Sequence, residues 1–501
     1  MSVEHHHYIN GTRKAGDSQR TSEVYNPATG EIQAKVSLAN ELEVKLAVQA
    51  AKAAFDDWRD TPPSKRSQIM FNFRDLLIKY TNDLAELISK EHGKTLPDAI
   101  GEIGRGLEVV EFACGIPHLL KGEYTENAAK GVDVYSSRQP LGICVGITPF
   151  NFPAMVPLWM FPIAIACGNT FILKPSERDP ACSIRLAELM TDAGLPDGVL
   201  NLVNGDKQAV DALLHDADVK GVSFVGSTPI GQYIYSTGCA NGKRVQALCG
   251  AKNHMVIMPD ADMDQVVDAT MGAAFGSAGE RCMAISAIVP VGQKTADDLL
   301  EALIPRIRSL KIGPYTDSKS EMGPVINQEA YKRITDFIES GISQGAELLV
   351  DGRDPRLQGY ENGFFLGGCL FDRVTTSMDI YRKEIFGPVL STVRVENYDE
   401  AIAMINSHAY GNGTAIFTRD GDAARDFSNK IEIGMVGVNV PIPVPVAYHS
   451  FGGWKDSLFG DHSMHGMEGV RFYTRLKTVT SRWPSGVRTG ASFNFSRSSE
   501  A

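Results

Sequence analysis

Between residues 142 and 249 short apolar runs recur at intervals of roughly 20–30 residues, a spacing that constrains the fold more than any other feature of the chain. The runs are Ile143–Ile147, Thr170–Lys174, Val199–Val203, Gly221–Val225 and Arg244–Leu248, with helix-length stretches between them. Parallel neighbours in a sheet need crossovers of that length, most often a helix. The pattern predicts an α/β unit with an open, mostly parallel sheet and helices on both faces. Ligands on such a sheet bind beyond the carboxyl ends of the strands.

Upstream, Val44, Ala47, Val48, Ala51, Phe55 and Trp58 recur at helical spacing and predict a helix near residues 42–58, stopped by Pro62 and Pro63. A second helix follows, with Phe73, Leu76, Leu77 and Tyr80 on one face. Downstream, a second α/β region runs from about Ala251 to Phe451, with strand candidates at Ala287–Val291, Leu348–Val350, Leu390–Val395 and Thr414–Phe417. The tail, with Arg471-Phe472-Tyr473 and Lys477-Thr478-Val479-Thr480, alternates like a strand that needs a partner. Ser485 to Ala501, rich in Ser, Gly and Arg, is expected to be loose.

The 501 residues leave room for about three domains. A net charge of −11 disfavours a nucleic-acid binder, which needs a basic face. The 8 cysteines include no CxxC pair, which argues against a zinc ribbon or a disulfide scaffold and fits a reducing, cytoplasmic setting. No basic segment followed by an apolar run marks a secretory signal. No apolar stretch reaches the roughly 20 residues of a membrane span, and prolines interrupt the nearest one, Phe152 to Gly168. His5-His6-His7 reads equally as tag residue or as a native polar start.

Gly279-Glu280-Arg281-Cys282-Met283-Ala284 carries the strongest chemical signal. A free cysteine, with a pKa of about 8.5, is mostly protonated at neutral pH. A neighbouring cation lowers that value, and Arg281 is adjacent to Cys282. Gly276, Ser277, Ala278 and Gly279 are expected to leave room for a ligand. A small buried thiol is the alternative for Cys282 taken alone. With Pro149-Phe150-Asn151-Phe152-Pro153 and Glu384-Ile385-Phe386-Gly387-Pro388, the string resembles the aldehyde dehydrogenases over nearly the whole chain. Gly250-Ala251-Lys252-Asn253-His254, the Pro-rich run Asn439 to Pro445 and Phe451-Gly452-Gly453-Trp454-Lys455 look like the CoA-acylating methylmalonate-semialdehyde dehydrogenase branch. The Pro-rich run is either a substrate mouth or a rigid connector.

The resemblance implies a Rossmann-like NAD-binding domain (1–120 and 142–249), an α/β catalytic domain (250–452), a return to the NAD domain (453–470) and a small β oligomerisation arm (121–141 and 471–501) building homodimers or homotetramers. Cys282 is then the nucleophile, and Asn151, held by Phe150 and Phe152, is an oxyanion donor with the Cys282 backbone N–H. Lys174 and Glu177 meet the adenosine ribose, Gly226 and Ser227 the pyrophosphate, and Glu384, with Phe150 and Phe386 nearby, the nicotinamide side. By its residues alone Gly226-Ser227-Thr228 is equally a turn capped by Ser227 or Thr228. An acid at the ribose favours NAD over NADP.

One departure matters. Hydrolytic relatives carry a glutamate that activates water in a Glu-Leu-Gly-Gly-Lys string. Here the string is Leu248-Cys249-Gly250-Ala251-Lys252, and leucine accepts no proton. Coenzyme A, far more acidic than water, needs less help as the acyl acceptor. Cys249 is read as structural. Arg281, and Arg105 between Gly104 and Gly106, resemble the pair that binds the substrate carboxylate in that branch. The expected substrate is methylmalonate or malonate semialdehyde, and the expected products are propanoyl-CoA or acetyl-CoA, CO2 and NADH. An acid-forming, CoA-independent dehydrogenase is the alternative.

Overall fold

The computed structural model describes residues 3–483, which form two large sheets wrapped by helices, a small three-stranded sheet built with the tail, and two further small sheets of three and two strands. The loose segment expected from Ser485 to Ala501, and with it the last part of the 471–501 arm, lies outside the described residues.

All five strands of the first unit form. Ile143–Ile147, Thr170–Lys174 and Arg244–Leu248 match the sequence limits, Val199–Val203 shrinks to Leu200–Leu202, and Gly221–Val225 begins earlier, at Val219. They lie side by side in the order Arg244–Leu248, Val219–Val225, Ile143–Ile147, Thr170–Lys174, Leu200–Leu202, all parallel. Chain order reverses between Ile143–Ile147 and Val219–Val225, so the loops leaving these strands diverge and open a crevice, the usual ligand position of such a sheet. Those loops carry Asn151 on one side and Gly226 with Ser227 on the other. His7–Ile9 and Leu458–Phe459 pair antiparallel at the two ends of this parallel run. The histidine run belongs to the fold: His7 is buried, its Nδ1 accepting from the Asn204 N–H at 3.1 Å, and His5 Nε2 lies 2.8 Å from Glu91.

The first helix spans Glu41–Asp60 because Asn40 caps it: its side chain accepts from the N–H groups of Leu42 and Glu43, and Glu43 reaches back to the Asn40 N–H. Val44, Ala47, Val48, Ala51 and Trp58 are buried as the spacing predicts, while Phe55 is only half-buried. Pro63 does more than stop this helix. It opens the next, Pro63–Lys79, where a proline in the first turn sacrifices no hydrogen bond.

The apolar stretch after Phe152 is the helix Met155–Ala166, buried at all 12 positions and packed on the helix Leu96–Cys114. Gly106 permits that contact, since a Cβ there would sit 2.5 Å from Leu158 Cδ1, whereas Gly104 meets open space. No helix among the described residues is long and apolar enough to cross a membrane.

The second sheet runs Glu347–Val350, Cys369–Asp372, Val389–Thr392, Ile285–Pro290, Asn253–Ile257, Gly413–Phe417, Met435–Val438, parallel except for its first edge strand. Asn253–Ile257, Cys369–Asp372 and Met435–Val438 were not foreseen. The small sheet pairs Thr474–Arg482 with Val132–Pro140 along nine residues, with Tyr124–Ala129 beyond, so the tail strand finds its partner. Arg471 and Phe472 are not part of it. They end the helix Gly466–Phe472, because Phe472 and Tyr473 are drawn into the first unit's core.

Candidate active site

A cavity of ≈ 370 Å³ opens between the helix Leu96–Cys114 and the loop before Ile285. Cys282, Leu248, Cys249, Arg105, Arg281 and Asp98 line it, with Phe152, Met155, Trp159, Ile442, Val444 and Phe451 as an apolar wall. Ile442 and Val444 give the Pro-rich run a place in that wall.

The loop that delivers Cys282 is a tight 3₁₀ turn, Gly276–Gly279, followed by Glu280 and Arg281. Ser277 and Ala278 take φ of 53° and 52°, and Gly279 of +71°. Two consecutive side-chain-bearing residues in the left-handed region cost about 1–2 kcal/mol each. The room expected here for a ligand is occupied by protein. A Cβ on Gly276 would lie 2.5 Å from the Arg281 Nη1, and one on Gly279 would lie 2.3 Å from the Gly387 carbonyl oxygen. These residues let the Arg281 guanidinium and the Gly387 backbone close on the loop. Two amides then hold the Cys282 backbone: Asn253 Nδ2 and Asn412 Nδ2 donate to its carbonyl at 2.9 and 3.0 Å. Asn253 also donates to the Ala284 carbonyl. Neither role was foreseen, although Asn253 stood in a string singled out for its resemblance.

The expected depression of the Cys282 pKa does not occur. Burial pushes the thiol up to about 12, the Glu384 carboxylate adds to this, and Arg281 opposes it only weakly. The reason is geometric, since the Arg281 guanidinium is turned to Asp98 at 2.5 Å. Glu384 is itself raised to about 7 by burial, while its Oε1 accepts from the Ala251 N–H at 3.0 Å. Thiolate therefore grows about tenfold with each pH unit across the accessible range. Iodoacetamide labelling of Cys282 in the ligand-free enzyme is expected to accelerate steadily from pH 8 to 10. An ordinary cysteine levels off once pH passes about 8.5. A plateau below pH 9, followed by peptide mass spectrometry, would contradict this. Burial raises the Cys249 thiol to about 12, as it does that of Cys282, and the Cys249 Sγ is turned to the Ala247 carbonyl at 3.4 Å.

Asn151 is buried, one residue before Phe152 of the cavity wall. Phe150 stacks on His92 at 5.8 Å and meets Phe386 edge-on at 5.8 Å, while Phe152 lies beneath the Lys94 ammonium at 4.5 Å. Both neighbours of Asn151 are thus anchored.

Each cavity arginine already has a carboxylate. Arg281 pairs with Asp98, and Arg105 pairs with Glu108 at 2.8 Å while donating to the carbonyls of Pro445 (2.7 Å) and Val444 (3.3 Å). Asp98 supplies Arg281 with a counter-charge from within the protein. Asp98, Glu102 and Arg105 stand four and three residues apart on one face of Leu96–Cys114, and all three line the cavity.

The remaining residues lie at the carboxyl ends of the first sheet's strands. Lys174 closes its strand and holds Glu177 at 3.1 Å. Burial works against the Glu177 charge, yet Lys174, a backbone hydrogen bond and Arg178 together keep the carboxyl below its ordinary range. Gly226 and Ser227 precede the helix Thr228–Ala240. Ser227 stands at the cap position without a capping side-chain bond, and Thr228 is committed elsewhere, its Oγ1 accepting from the Gly250 N–H at 3.0 Å. The capped-turn reading therefore fails, and the first-turn N–H groups keep no side-chain acceptor. A dinucleotide's pyrophosphate suits that donor set.

Residues 14–479 match the Aldehyde dehydrogenase family. The chain is 60% identical over 487 residues to a malonate-semialdehyde dehydrogenase of Pseudomonas aeruginosa, covering 97% of this chain and 98% of that one. It is 50% identical over 475 residues to an acylating, mitochondrial methylmalonate-semialdehyde dehydrogenase of Arabidopsis thaliana, covering 95% and 78%. Among solved structures, one from Sinorhizobium meliloti, described as a candidate methylmalonate-semialdehyde dehydrogenase complexed with NAD, superposes with a TM-score of 0.96 at 62% identity, covering 97% of this chain and 99% of the other. With a cysteine on a strained loop, an asparagine beside the cavity and a dinucleotide-type sheet meeting at one crevice, the chain belongs to the aldehyde dehydrogenase family and carries its fold.

Proposed function

We propose that the protein is an NAD-dependent, CoA-acylating dehydrogenase of malonate and methylmalonate semialdehyde. The observation that carries this reading is the cavity that joins Cys282 to two guanidiniums while Leu248 stands where a water-activating base would be. The names of the similar proteins support it.

Cys282 adds to the aldehyde carbon, and the oxygen that becomes negative is stabilised by the Asn151 amide and the Cys282 N–H. Lys174, Glu177, Gly226, Ser227 and Glu384 would hold NAD, which would supply the hydride acceptor. The acyl group remains as a thioester on Cys282, with its β-carboxylate directed to Arg105 and Arg281. Loss of CO2 leaves an enolate that takes up one proton at C2. The CoA thiol, having released one proton, displaces Cys282. The sum is semialdehyde plus NAD plus CoA giving acyl-CoA, CO2 and NADH, with no net proton. In this reading the unit of the first sheet serves NAD, the unit of the second sheet serves the nucleophile, and the sheet of Tyr124–Ala129, Val132–Pro140 and Thr474–Arg482 joins copies into a homodimer or homotetramer.

Purified protein given malonate semialdehyde and NAD should form NADH continuously only when CoA is present, with acetyl-CoA as product. Sustained turnover without CoA, releasing free acid, would overturn the acylating step and show that another group activates water.

A further inference from the structure

Lys94 and Glu102 form a fully buried ion pair with no part in the chemistry above. Gly93, at φ +93°, ends the helix Thr81–His92 and turns the chain so that Lys94 enters the interior. The Lys94 Nζ lies 2.8 Å from Glu102 Oε2 and donates to the Asn151 backbone carbonyl at 2.6 Å. The other carboxylate oxygen of Glu102 accepts from the N–H groups of Ala154 (2.8 Å) and Met155 (3.1 Å), at the start of the helix Met155–Ala166.

Such a pair is a poor device for stability, because desolvating two charges costs several kcal/mol per ion and apolar replacements are often as stable. Its contacts instead converge on one five-residue segment. One charged group grips residue 151, and the other grips residues 154 and 155. The Asn151 side-chain amide makes no hydrogen bond to another described residue, so its aim depends on where its backbone is held. Glu102 also sits on the helix face that carries Arg105 and Asp98, which ties the aim of Asn151 to the guanidinium end of the cavity.

We propose that Lys94 and Glu102 are positioning residues that hold the Asn151 amide at the oxygen of the Cys282 adduct. This rests on the reading of Asn151 as the oxyanion donor, and the test separates the two. Lys94→Met leaves Glu102 buried without a partner and is liable to misfold. The informative variant is therefore Lys94→Met with Glu102→Gln, which removes both charges and keeps a carbonyl for Ala154 and Met155. A donor displaced by about 1 Å costs about 100-fold in rate, so kcat should fall by that factor while KM changes little. In an Asn151→Ala background the same pair of substitutions should cost little more, because no amide remains to be aimed. The melting temperature of each variant is measured alongside. Undiminished kcat in the double variant, or losses that multiply in the Asn151→Ala background, would overturn the positioning role and leave Asn151 untouched. An Asn151→Ala variant with normal kcat would instead overturn the oxyanion reading, and the positioning role with it.

Discussion

Asn151→Ala is expected to lower kcat about 10²–10³-fold, the usual consequence of removing one oxyanion donor. KM for the semialdehyde should change little, because the amide acts on charge that develops only once Cys282 has added. The loss should appear in the first turnover, as slower initial formation of NADH in stopped flow, and not only at steady state. Asn151→Asp serves as a sharper control. It keeps the size of the side chain but replaces donor by acceptor beside a developing negative charge, and it should be at least as damaging. If Asn151→Ala instead raised KM with kcat intact, the residue would be a ground-state binding contact and the oxyanion assignment would fail.

The positions that sequence reveals are those where chemistry demands a residue type inside a recognisable string. The five strands of the first sheet were legible because each carries an apolar stretch and they recur at crossover spacing, even where a polar residue such as Arg244 or Gln246 stands within them. Asn253–Ile257 was not, because it starts with two polar residues. Asn253 is nevertheless buried, its amide spent on the Cys282 and Ala284 carbonyls, and an alternation rule has no means of seeing such a bond. The glycines around residues 276–279 were read as space for a ligand, since a missing Cβ looks the same in sequence whatever fills the gap. The structure fills it with Arg281 and with backbone. The electrostatics of Cys282 were misjudged for a related reason. Adjacency in the chain suggested that Arg281 acts on the thiol, but side chains of successive residues diverge, and Asp98, 183 positions away, takes the guanidinium. Lys94 and Glu102 gave no signal because a lysine and a glutamate eight residues apart read as solvated charge until the fold buries them.

The largest discrimination between substrates should come from the arginines. Replacing one partner of a hydrogen-bonded charge pair typically costs 2–5 kcal/mol, so kcat/KM for malonate semialdehyde should fall at least about 30-fold in Arg281→Leu and in Arg105→Leu. Propanal, which has no carboxylate, should lose far less in either variant. The two variants should not be equal. Removing Arg281 leaves the Asp98 carboxylate facing the cavity with no counter-charge, so an anionic substrate meets a lost attraction and a new repulsion. Removing Arg105 frees Glu108, which is half-exposed and outside the cavity lining, where solvent screens it. Arg281→Leu should therefore be the more severe for the semialdehyde, and adding Asp98→Asn to it should recover part of the loss without affecting propanal. That recovery is the decisive comparison. It follows if the guanidiniums act as a charge clamp, and it does not follow if they merely brace the loop of Cys282, in which case both substrates would lose equally and Asp98→Asn would restore neither.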